Sequence, residues 1–281
     1  MSPPGSARTT LRDLRHRARD RRPFAMLTCY DATTARWLAR GGLDVLLVGD
    51  TAGSMVLGFE DTVHAGLGFM LAITAAVRRG APNAFLMGDM PFLSYQADDA
   101  EAVRNAGRFL TEGMADAVKL EVDHRHVDLV AKLDRANIPV VAHIGWGPQR
   151  TGRTGVPVVA GRTDARIQEM AKLAAALERA GAAMLLVEQA TAEAAAAVVG
   201  AVSIPVIGCG AGPSITEDAP GVHGQVVVLH DLLGLTDRQP SFVKPIARGG
   251  DALADAARRW VQAVGAGEVL RDGGPYAKRE A

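Results

Sequence analysis

Eight short runs rich in Val, Ile and Leu, separated by longer alanine-rich stretches of helical character, constrain this chain more than any other feature of its sequence. The runs fall at 25–29, 45–49, 84–88, 117–120, 139–143, 183–187, 205–208 and 225–229. They are almost continuously apolar rather than alternating, as strands are when helices cover one face and other strands fill the opposite one. Helices are predicted between and beyond them at 32–40, 67–79, 97–112, 125–136, 164–180, 190–201 and 251–264, with a short one at 10–20 near the start. Gly41, Gly80, Gly113 and Gly181 stand where a left-handed helix C-cap is expected. Eight β-then-α units without a break in composition predict an α/β fold, a (β/α)8 TIM barrel, rather than a doubly wound sheet. The expected organisation is an N-terminal basic segment with a short helix at 1–23, one catalytic barrel at 24–264, and a polar C-terminal tail at 265–281.

Composition narrows the function classes. Lys and Arg total 31 and Asp and Glu total 31, so no basic face is implied for nucleic acid or a membrane surface. The apolar runs are far shorter than the ~18 residues of a membrane span. Residues 1–23 carry seven arginines with Asp13 and Asp20 and no apolar stretch behind them, which is not the form of a secretory signal. Cys29 and Cys209 lie in strand-like sequence without metal-type spacing and read as reduced core thiols, pointing to a cytoplasmic compartment.

The polar residues cluster where a barrel places chemistry, at the C-terminal ends of strands. The second strand runs into Asp50 and Thr51, the third into Asp89, the fourth carries Lys119 and Glu121, the fifth ends at His143 and the sixth at Glu188. Asp50, Asp89 and Glu121 could together surround a hard divalent cation, for which oxygen ligands favour Mg²⁺ over Zn²⁺. Such a cation could chelate a 2-oxo acid and stabilise its enolate. Each acid could instead cap the next helix or pair with an arginine. Lys119 and Glu121, two apart, share a strand face and could form an ion pair, or Lys119 could bind a substrate carboxylate or oxyanion. His143 reads equally as an orienting residue or a satisfied core histidine. Glu188, behind four apolar residues, could be a general base with a raised pKa, or simply be salt-bridged.

With these residues in place the chain resembles the ketopantoate hydroxymethyltransferase family. The matching segments include Leu27-Thr-Cys-Tyr-Asp31, Val48-Gly-Asp-Thr51, Gly88-Asp-Met-Pro-Phe-Leu-Ser-Tyr95, Ala117-Val-Lys-Leu-Glu121, Ala142-His-Ile-Gly145, Leu186-Val-Glu188 and Ile204-Pro-Val-Ile-Gly-Cys-Gly-Ala-Gly-Pro213. The resemblance implies a barrel of the phosphoenolpyruvate/pyruvate type, assembled as a homo-oligomer, a decamer. It further implies transfer of a hydroxymethyl group from 5,10-methylenetetrahydrofolate to 3-methyl-2-oxobutanoate, giving 2-dehydropantoate for pantothenate synthesis. By the same resemblance Asp50, Asp89 and Glu121 are metal-site acids. Thr51, Lys119 and His143 join Asp50 and Asp89 around the substrate, and Glu188 removes the C3 proton from a keto acid chelated by Mg²⁺. Thr51 stands where the family has Ser, and the segments 54–70, 150–162 and 213–224 depart from its pattern. Those rims leave room for a neighbouring 2-oxo acid as the acceptor. The same barrel could also serve a C–C lyase of the superfamily, or bind without catalysis. Retention of Asp50, Asp89, Glu121 and Glu188 together speaks against a non-catalytic barrel.

Overall fold

The computed structural model describes residues 7–155, 158–216 and 218–269. Parts of the expected N-terminal segment, of two rim loops and of the tail, namely residues 1–6, 156–157, 217 and 270–281, lie outside the described residues. Eight parallel strands close into a barrel in chain order: β1 (Phe24–Thr28), β2 (Val45–Val48), β3 (Phe85–Asp89), β4 (Ala117–Glu121), β5 (Val140–Gly145), β6 (Met184–Glu188), β7 (Val206–Cys209) and β8 (Gly224–Val227). Pairing of β1 with β8, from Phe24 opposite Gly224 to Leu27 opposite Val227, completes the ring. The expected barrel is therefore the observed one.

The helices are α1 (Leu11–Arg19), α2 (Ala32–Arg40), α3 (Ala52–Met55), α4 (Leu67–Gly80), α5 (Asp99–Thr111), α6 (Val127–Arg135), α7 (Thr151–Thr154), α8 (Asp164–Arg179), α9 (Ala192–Ala201), α10 (Leu229–Leu232) and α11 (Gly249–Gly265). The very short α3, α7 and α10 were not expected; one turn carries no periodicity to detect. Side-chain oxygens start several of the longer ones, α1, α2, α5, α8 and α9. Asp31 accepts from the amides of Thr33 and Thr34, and Asp98 from that of Glu101, satisfying donors that a helix start leaves open. Among the described residues no helix is long and apolar enough to cross a membrane.

The strands alternate strictly despite their uniform apolarity. Phe85, Met87, Ala117, Val141, Met184 and Leu186 face inward and form one cluster with Leu14 of α1. Leu86, Val118, Val140, Ala142, Leu185 and Val187 face outward and pack with the helices in a second. With two residues per period, the next inward positions on β3, β4, β5 and β6 are Asp89, Lys119, His143 and Glu188.

The expected glycine caps need correction. Only Gly181 has a left-handed φ, +97°; Gly41 is right-handed at −73°, with Gly42 at +89° behind it. Met114 rather than Gly113 is left-handed. Gly80 lies inside α4 because α2 crosses it too closely for a side chain; a Cβ there would overlap the carbonyl of Ala32.

Contacts divide the chain into two compact units, one through Val228 and one from Leu229 onward. The whole barrel lies in the first. The second holds α10 and α11, whereas the sequence expectation draws one domain from 24 to 264.

Candidate active site at the C-terminal end of the barrel

The inward positions meet in a cavity of about 60 Å³ lined by Asp50, Thr51, Asp89, Lys119, His143 and Glu188, together with Leu47, Leu186, Cys209 and Val226. Six of the seven residues expected at the site thus share one small space. Neither Asp50 nor Asp89 caps a helix. Asp89 Oδ2 accepts from the Asp50 amide at 3.0 Å and lies 2.8 Å from Lys119 Nζ. Lys119 is therefore paired with Asp89 rather than with Glu121.

A line of contacts continues from there. Lys119 Nζ lies 3.3 Å from His143 Nδ1, and His143 Nε2 lies 3.3 Å from Glu188 Oε2. Burial disfavours the Lys119 ammonium, but Asp89, Asp50 and Glu121 outweigh it and raise its pKa, so it stays charged. His143 is fully buried, and burial with the Lys119 charge beside it lowers its pKa to about 3. A neutral ring facing an ammonium at Nδ1 must accept there, which puts its proton on Nε2, toward Glu188. Burial raises Glu188 to about 7, with Lys119 pulling it back. Its side chain is 17% exposed.

Glu121 stands apart. Its Oε1 accepts from the Gln149 amide at 3.0 Å, its Oε2 is 3.5 Å from Arg150 Nε, and a Cβ on Gly147 would overlap that Oε2. Among the described residues no group of three or more His, Cys, Asp or Glu side chains gathers at metal-holding distances. The expected trio is thus a buried pair, Asp50 and Asp89, with Glu121 set back. The pair still suits a hard cation: Asp89 Oδ1 is buried with no hydrogen-bond partner, an arrangement that needs compensation. Mg²⁺ commonly takes only one or two carboxylates beside water and substrate.

Sequence reasoning missed three supporting residues. Gln149 donates from Nε2 to Asp50 Oδ2 at 2.9 Å and to the Met90 carbonyl at 3.0 Å, and accepts from Tyr95 at 3.1 Å. Its place just behind Gly147-Pro148 after a strand was the available signal. Tyr30 shares a 2.7 Å hydrogen bond with the Thr51 hydroxyl, and only folding brings them together. Cys209 was read as a core thiol, but the inward last position of β7 makes it line the cavity. Cys29 and Cys209 are not joined in a disulfide. A larger neighbouring cavity of about 540 Å³, bordered by Tyr95, Glu121, Arg125 and Gln149, lacks the paired acids and the base.

Known proteins resemble this chain over most of its length. The chain is 40% identical over 246 residues to the 3-methyl-2-oxobutanoate hydroxymethyltransferase of Pyrobaculum aerophilum, covering 88% of this chain and 91% of that protein. It is 40% identical over 272 residues to that of Haloarcula marismortui, covering 96% and 97%. Among solved structures, 2,3-dimethylmalate lyase matches with a TM-score of 0.58 at 18% identity over 98% of this chain and 92% of that one. Phosphonopyruvate hydrolase in complex with oxalate and Mg²⁺ matches with 0.60 at 14% identity, over 96% and 92%. These likenesses show the fold alone, a (β/α)8 barrel. The sequence model for ketopantoate hydroxymethyltransferase matches residues 8–269, and the chain belongs to that family.

Proposed function

We propose that this enzyme transfers a hydroxymethyl group from 5,10-methylenetetrahydrofolate to 3-methyl-2-oxobutanoate, forming 2-dehydropantoate. The observation that carries the reading is the contact line Asp89, Lys119, His143, Glu188 around one cavity. The line joins a carboxyl whose pKa burial raises to about 7 to a buried ammonium, the pairing that proton removal from a small acid calls for. The relatives' names supply the acceptor and the group transferred.

Mg²⁺ is the metal proposed, held by Asp50 and Asp89; it would supply Lewis-acid polarisation of the keto oxygen. The Mg²⁺ and oxalate of the phosphonopyruvate hydrolase neighbour support it. Lys119 faces the substrate's negative oxygens with its ammonium, and Thr51, its hydroxyl oriented by Tyr30, supplies a hydrogen bond. Glu188 takes the C3 proton; water adds to the donor's methylene carbon and its C–N bonds break, releasing tetrahydrofolate and a one-carbon unit at the formaldehyde level, and the C3 carbanion adds to that carbon, whose oxygen takes up a proton to become the new hydroxyl. His143, with Nε2 3.3 Å from Glu188 Oε2, flanks the base. Glu121, through the Gln149 amide, braces the loop whose Gln149 side chain steadies Asp50.

The reading extends to a catalytic domain at 24–264, a cytoplasmic location and a homo-oligomer, a decamer by the family resemblance.

The test is C3 proton exchange. In D₂O with Mg²⁺ and no folate, 3-methyl-2-oxobutanoate should lose its C3 proton signal, and Glu188→Gln should slow this by about 10²–10⁴-fold. Absence of exchange by the folded, metal-loaded protein would remove this acceptor.

A further inference from the structure

Glu188 has a second neighbour whose role in the reaction is unassigned. Cys209 is its Cα partner across β6 and β7, and paired strand residues point the same way about 4.8 Å apart. Both side chains line the reaction cavity. The backbone around them is tied down: the Gln189 amide donates to the Cys209 carbonyl at 2.9 Å, and the Trp146 amide to the Glu188 carbonyl at 3.0 Å.

We propose that Cys209 is a positioning residue for Glu188: its thiol donates to the carboxylate and, with His143 Nε2 on the other side, fixes the plane of the carboxyl toward the substrate proton. This inference rests on Glu188 being the base. A carboxyl turns freely about its terminal torsion, which has only broad wells, so a single donor leaves its lone pairs poorly aimed. The thiol from β7, opposite the His143 ring that lies 3.3 Å away on β5, restricts that freedom. A thiol is a weak donor to neutral groups but gains strength toward an ionised acceptor, so its hold is greatest in the state that must accept the proton.

The charged and titratable groups around Glu188 make the effect measurable. Beyond burial, which raises its pKa, Lys119 from β4 lowers it, Asp50 beyond β2 raises it, and the Cys209 thiol lowers it. His143 from β5 is neutral, and Asp89 from β3 is paired to Lys119. Removing the thiol should therefore make Glu188 harder to ionise, while His143 and Lys119 remain.

The experiment uses the full chain with saturating Mg²⁺ and follows C3 exchange of 3-methyl-2-oxobutanoate against pH. Cys209→Val and Cys209→Ala remove the donor, one keeping the volume, and Cys209→Ser keeps a donor. The donor-free variants should move the pH midpoint upward by about half a unit or more and lower the exchange rate above it several-fold, with KM for the acid little changed. Cys209→Ser should return the midpoint to the parent value. A folded Val or Ala variant with the parent's midpoint and rate overturns the proposal. Exchange retained in Glu188→Gln instead overturns the assignment of the base, absence of exchange in the parent protein overturns the acceptor, and this inference falls with either.

Discussion

Lys119 and Asp89 carry much of the site's order, because each is a charge that burial would otherwise expel. Both are almost wholly buried, 5% and 0% exposed. Lys119→Met would leave Asp89 without its cation and should cost about 3–5 kcal/mol in urea unfolding, most of it recovered when Asp89→Leu removes the stranded charge. Glu188 sets the pH response. Its pKa of about 7 means that the rate of C3 exchange should fall as pH drops through about 7. A bound cation at the neighbouring pair favours the ionised carboxylate, so raising Mg²⁺ should shift that midpoint downward. Stability moves otherwise. A carboxyl raised in the folded state favours folding fully below its unfolded value, and that contribution fades as pH rises through about 7. His143 runs the other way: its folded value of about 3 lies below the unfolded one, so its contribution is present above the unfolded value and lost as pH falls toward 3. A Glu188→Gln variant should therefore lose less stability than the parent between pH 5 and pH 8 in thermal melts.

At the scale of elements, glycine placement decides how closely helices approach. Gly80 lies where α4 meets the Ala32 turn of α2 with no room for Cβ, whereas Gly107 on α5 has nothing within 4 Å of that position. The same substitution should thus act in opposite directions. Gly80→Ala should destabilise by about 1–3 kcal/mol through forced separation of the helices, and Gly107→Ala should stabilise by about 0.5–1 kcal/mol through lower chain entropy in the unfolded state. Denaturant midpoints measured side by side check both signs. The sequence signals behind these elements differ in kind. All eight strands and all the longer helices were legible within a few residues, since apolar runs and Ala-rich spans carry their own periodicity. The reason for Gly80 was not, because it depends on a neighbour that the local sequence does not name.

Within the unit that ends at Val228, the barrel is closed at its N-terminal end by α1. Leu14 is fully buried and belongs to the inward cluster with Phe24, Met26, Phe85 and Met87. Through Leu14 and Ala18, α1 of the basic segment thus joins the core. Arg17 pairs with Asp44, and the Thr9 amide donates to the Asn83 carbonyl at 2.9 Å, fixing the helix against loops at that end. Leu14→Ala should lower stability by about 2–5 kcal/mol although it lies at the end opposite the site, and the exchange reaction should persist at temperatures where the variant stays folded.

What the sequence determined alone is everything governed by short-range pattern. Continuous apolar runs determined parallel strands, and their count determined a barrel. A period of two then determined that Asp89, Lys119, His143 and Glu188 come after inward apolar residues at one end. Only the tertiary structure decided the partners. Lys119 chose Asp89 over Glu121, Glu121 turned to the Gln149 and Arg150 loop, and Gln149, Tyr30 and Cys209 entered the site from other strands and loops. The physical reason is that periodicity sets the direction of a side chain, whereas a hydrogen bond or ion pair is set by distances of about 3 Å between residues that are tens of positions apart.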